Sequence, residues 1–86
     1  MNEQASNVIG QEHLDSTILA LRLGMEGMAG EGLTRFIDAL TLRLSEVSPE
    51  TMQRLNPLLG ETLAAQVRGD FPHMADLLQY EIRPLL

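Results

Sequence analysis

Residues 14–47 read LDSTILALRLGMEGMAGEGLTRFIDALTLRLSEV, and two apolar stripes of the same rhythm run through them. Leu14, Ile18, Leu21, Met25 and Met28 recur at alternating steps of four and three, and so do Leu33, Ile37, Leu40, Leu44 and Val47. That spacing lines one face of an α-helix, twice over. Between the stripes the step is five, from Met28 to Leu33, with Gly27, Gly30 and Gly32 in or beside the gap. On one continuous helix the second stripe would point away from the first, so the spacing predicts a break near residues 28–32 and a chain that folds back. Leu19 and Leu23 broaden the first stripe and Phe36 and Leu42 the second, beyond a two-stranded coiled-coil seam.

Outward from this hairpin the chain carries clear punctuation. Upstream, the polar stretch ending at Gly10 reads as a flexible N-terminal arm over residues 1–10, and residues 11–86 read as a single helical domain. The first helix is expected to start just after Gly10, or at Asp15 as N-cap with Leu14 stapled onto Leu19. Downstream, Ser48-Pro49-Glu50 is a strong helix start: a hydroxyl cap, a proline at the first helical position and an acid at the positive end of the dipole. Asn56-Pro57 predicts that this third helix is broken or kinked, since proline removes a hydrogen bond and crowds the preceding turn. Met52, Leu55, Leu59, Leu63 and Val67 mark its expected inward side. Gly69 stands where a left-handed C′ glycine belongs, and Asp70 follows at once as the cap of a fourth helix. Phe71, Met74, Leu77, Leu78 and Ile82 give that helix its apolar face, and Pro84 is expected to stop it. Leu85 and Leu86 then imply either docking in a groove or a cut from a longer protein.

The fold class that follows is all-α: a small bundle of four helices arranged as antiparallel hairpins. Composition agrees, because sixteen leucines and five methionines stand against only Phe36, Phe71 and Tyr80, an aliphatic set that suits helices better than a β-sandwich.

Charge narrows the functional classes. Twelve carboxylates face six arginines, for a formal charge of −6, and there is no lysine. Codon bias in a GC-rich genome accounts for the missing lysines, yet their absence excludes a P-loop, Schiff-base chemistry and the kinase fold. An acidic chain with scattered arginines also argues against nucleic acid as a partner and against an anionic membrane. Without cysteine there is no disulfide and no thiolate site. The opening Met-Asn-Glu-Gln-Ala-Ser-Asn lacks the pattern of a secretory signal, and no apolar run is long enough to span a bilayer, so a soluble cytoplasmic protein is expected.

Chemistry-bearing residues are sparse. His13 and His73 are the only imidazoles. Asp70, His73 and Asp76 form the one polar group on which a small ligand- or metal-binding enzyme with a site between helices would rest, but Asp70 has a better use as a cap and the di-metal Glu-x-x-His pattern is not met. Neither a cofactor nor a metal is implied. The expectation is a non-enzymatic protein–protein interaction or regulatory module that self-associates as a homodimer. Leu14, Ile18, Leu21, Met25 and Met28 are its candidate interface, because a chain this small has more apolar stripe than one core hides.

Overall fold

The computed structural model describes residues 8–86, and within them helices joined by short turns make up most of the chain, with no strand. Helix α1 spans Gln11–Arg22, α2 Glu26–Leu42, α3 Pro49–Arg68 and α4 Phe71–Asp76. A single 3-10 turn, Leu44–Glu46, leads into α3, while α4 continues as π-helical turns over Leu77–Ile82 and a 3-10 turn over Arg83–Leu85. The four-helix, all-α expectation is therefore met. Helix α1 and the C-terminal helix form the middle of the molecule, with α2 packed on α1 and α3 on α4 and its continuation. Leu14, Phe36, Leu55, Met74, Leu78 and Ile82 meet in one core.

Helix α1 starts directly after Gly10, whose φ of 67° is a left-handed conformation that glycine adopts without strain. Space makes the same demand, since a Cβ at Gly10 would stand 2.9 Å from the Phe36 ring. Asp15 is not the cap; it accepts a hydrogen bond from Arg83 Nη2. Leu19 faces solvent, so the Leu14–Leu19 staple does not form. Of the expected arm, residues 1–7 lie outside the described residues, while Ile9 is buried and Val8 packs against the core.

The hairpin turns earlier than the stripes predict. Gly24, at φ 72°, ends α1 in a Schellman arrangement in which the Met25 N–H donates to the Ala20 carbonyl and the Gly24 N–H to the Leu21 carbonyl. Helix α2 then runs through Gly27, Gly30 and Gly32 without interruption. Its inward face is Ala29, Gly32, Leu33, Phe36 and Leu40. The five-residue step from Met28 to Leu33 is thus no break: Ala29 continues the stripe at the proper spacing, and Met28 is turned outward. Leu44 and Val47 lie beyond the end of α2.

Small residues let α1 and α2 approach closely. A Cβ on Gly32 would overlap the Thr17 hydroxyl and lie 3.4 Å from the Thr17 Cα. Thr17 is itself buried, and its hydroxyl donates to the His13 carbonyl at 2.6 Å, so no polar group is orphaned at the contact.

Helix α3 begins as the sequence predicts, with Ser48 Oγ accepting from the Thr51 N–H at 3.1 Å. It is not broken at Asn56-Pro57 but continuous through Pro57 to Arg68. Pro57 deprives the Gln53 carbonyl of its partner, and both residues lie on the exposed side of the helix. The inward face also differs from expectation. Leu55, Thr62 and Ala65 are buried and Met52, Leu58 and Leu59 partly so, whereas Leu63 and Val67 are exposed.

The α3–α4 junction follows the local signals closely. Gly69 has φ 73°, and the Asp70 N–H donates to the Ala65 carbonyl at 2.9 Å, a second Schellman closure. Asp70 then accepts from the His73 N–H at 3.3 Å. Met74, Leu77, Leu78 and Ile82 are buried and Phe71 partly so, as expected of the C-terminal helix. Regular α-helical bonding ends at Asp76, well before Pro84, which has no N–H to give the Tyr80 carbonyl. Leu85 and Leu86 pack against the core.

Candidate functional site

The five residues expected to form an interface divide into two groups. Leu14, Ile18 and Leu21 are buried inside this chain's own core, which corrects their placement on a partner-facing surface. They face α2 and the C-terminal helix because those elements already cover that side of α1. A radius of gyration of 12.5 Å, against about 12 Å for a compact chain of this length, is that of a compact chain.

Several large apolar side chains stay exposed, Leu42 and Val67 among them, and four of them lie around one corner. Leu19 and Leu23, four apart on the outward side of α1, are 60% and 64% exposed, and Met25 and Met28, on either side of the α2 start, are 41% and 58% exposed. The turn at Gly24 brings these four side chains to one end of the α1–α2 hairpin. Locally the arrangement follows from α1 having its buried face at Leu14, Thr17, Ile18 and Leu21, which leaves positions 19 and 23 pointing the other way. Sequence reasoning assigned Leu19 and Leu23 to the packed stripe. Their spacing from Leu14 and Ile18 held the contrary signal, since all of them fit one face only if that face covers most of the helix.

Beside the corner, a groove of about 220 Å³ lies between α1 and α2, lined by His13, Ser16, Met28, Glu31, Gly32 and Arg35. Ser16 Oγ donates back to the His13 carbonyl at 3.1 Å, a helix-internal contact.

The polar group named from sequence does not converge. Asp70 is committed to capping α4. Asp76 points to α1, where Arg22 Nη2 donates to its carboxylate at 3.0 Å and to Gln79 Oε1 at 2.9 Å. His73 Nε2 instead lies 3.0 Å from Glu61 Oε2 of α3, and Arg68 stands 3.8 Å from the carboxylates of both Glu61 and Asp70. Glu61, which sequence reasoning passed over, belongs there because it precedes Arg68 by seven residues, two turns up the same face of α3. All members of this cluster are substantially exposed, and it ties α3 to α4 through charge. Among the described residues no three His, Asp or Glu side chains come together as a metal site. The Arg43–Glu46 ion pair, across the turn after α2, moves its own titration. The Arg43 hydrogen bond holds the Glu46 carboxyl below its ordinary value of 4.5 and raises the Arg43 guanidinium.

Fold and surface together define a small all-α bundle with an uncovered apolar corner and a periphery of exposed ion pairs. No helix among the described residues is long and apolar enough to cross a membrane. The chain matches no protein-family model, no curated protein and no solved structure.

Proposed function

We propose that this chain is a non-enzymatic, cytoplasmic protein-interaction module that self-associates as a homodimer through the corner where α1 turns into α2. The carrying observation is the exposure of Leu19, Leu23, Met25 and Met28 at one end of the hairpin. Two-fold pairing is the commonest way for a chain to cover such a patch with itself. Each side chain is about half exposed, so covering it returns roughly 1 kcal/mol, and a two-fold axis counts each one twice. Roughly 8 kcal/mol is then the ceiling before any cost of association, which sets an affinity of micromolar or weaker.

Sedimentation equilibrium from micromolar to millimolar concentration tests this reading. The expected result is a rise from 9.5 kDa toward twice that mass, abolished by the double variant Leu19→Glu/Leu23→Glu, which changes only exposed positions. A monomer throughout the range would overturn it.

A further inference from the structure

We infer that Met25 and Met28 are a paired oxidation site that switches the self-association off. The inference rests on self-association through the same corner. The chain has no cysteine, so thioethers are its most readily oxidised sulfur groups. Among the described methionines, Met25 and Met28 are exposed, Met52 is half-buried and Met74 is 1% exposed in the core. Among the described methionines, the two sulfurs that an oxidant reaches first are thus the two that lie on the apolar corner.

The chemistry balances with a peroxide as oxidant. A lone pair on the methionine Sδ attacks one peroxide oxygen as the O–O bond breaks and an S–O bond forms. The second oxygen leaves as hydroxide and takes up the proton that the transferred oxygen gives up, forming water; sulfur loses two electrons and the peroxide gains them. The product is a sulfoxide, polar where the thioether was apolar. Carried into a dry contact, its oxygen has no donor waiting among Leu19, Leu23 and their symmetry mates. Each sulfoxide therefore weakens association by roughly tenfold.

Because the same side chains are covered in the dimer, the free protomer is the form that reacts. Oxidation then draws the equilibrium toward monomer, and it slows as protein concentration rises. Met74 is a built-in control, since its sulfur becomes reachable only when the core opens.

The test combines peptide mapping with sedimentation. Chain treated with hydrogen peroxide at low and high protein concentration is mapped by mass spectrometry, and the association of treated and untreated chain is measured. Oxygen is expected on Met25 and Met28 well before Met74, more slowly in concentrated protein, with the doubly oxidised chain associating at least tenfold more weakly. The variant Met25→Leu/Met28→Leu, which conserves side-chain volume, is expected to self-associate like the parent and to ignore peroxide. A dimer that persists unchanged with both sulfoxides in place overturns the switch alone, as does a Met74 that oxidises as fast as Met25. An untreated chain that is monomeric at every concentration overturns the self-association reading, and the switch with it.

Discussion

Replacing Gly32 by alanine sets two large effects of opposite sign against each other. In an open helix the substitution stabilises by about 1 kcal/mol, because alanine loses less backbone entropy on folding. At Gly32 the new methyl group meets the Thr17 hydroxyl and lies 3.4 Å from its Cα, so either Thr17 rotates away or α1 and α2 separate. Rotation forfeits the 2.6 Å hydrogen bond to the His13 carbonyl, worth roughly 1 kcal/mol with the buried hydroxyl then left unpaired. Separation loosens the packing around Leu33 and Phe36 at an overpacking cost of about 1–3 kcal/mol. The clash wins, and Gly32→Ala is expected to destabilise by roughly 1–3 kcal/mol net. At Gly30 an added methyl would meet nothing within 4 Å, so Gly30→Ala is expected to stabilise by up to about 1 kcal/mol. Urea titrations followed by far-UV circular dichroism, at one protein concentration, read both midpoints. A Thr17→Ala background should relieve most of the Gly32→Ala penalty, because it removes the hydroxyl that the methyl overlaps and leaves only the Cβ at 3.3 Å and the Cα at 3.4 Å. If Gly32→Ala is as stabilising as Gly30→Ala, the close α1–α2 approach is refuted.

Two further substitutions probe the rest of the bundle. Pro57→Ala restores an N–H to the Gln53 carbonyl in a helix that is already continuous, and should raise the urea midpoint by an amount equivalent to roughly 1–3 kcal/mol; an unchanged or lower midpoint would mean that α3 needs its proline. At the α2–α3 turn, the Glu46 carboxyl titrates below 4.5 when folded, so its stabilising contribution is present above that pH and is lost as pH falls through the depressed value. Glu46→Gln should therefore lower thermal stability slightly at neutral pH and make no difference in strong acid, the effect being small because the pair is fully solvated. A difference that persists in acid would remove the carboxylate from the explanation.

The end of α1 and the start of α2 show why part of the fold was illegible. Met25 stands at the N-cap of α2 without any side-chain hydrogen bond, so the polar residue that normally announces a helix is missing there. Gly24 did carry the signal, but it competed with Gly27, Gly30 and Gly32 for the role of turn, and only the turn itself separates them. At the candidate corner, Met25 and Met28 continue the spacing of Leu14, Ile18 and Leu21 in the sequence, and only the turn at Gly24 parts them from that buried face. Leu19 and Leu23 were not legible as surface either, since a leucine at helical spacing is apolar wherever it points.

Local chemistry in the sequence determined the all-α class, the Ser48-Pro49 helix start, the Gly69-Asp70 junction and the inward face of the C-terminal helix. Each depends on a cap, a positive φ or a short apolar repeat, which act within a few residues of chain. Tertiary structure decided the rest: that Ala29, Gly32, Thr62 and Ala65 are contact residues, that Leu19, Leu23, Leu63 and Val67 are not, and that α3 continues through Pro57. The physical reason is that burial is a property of a residue and its neighbour together. A small side chain becomes core only where another helix comes close enough to cover it, and a large one stays outside where none does.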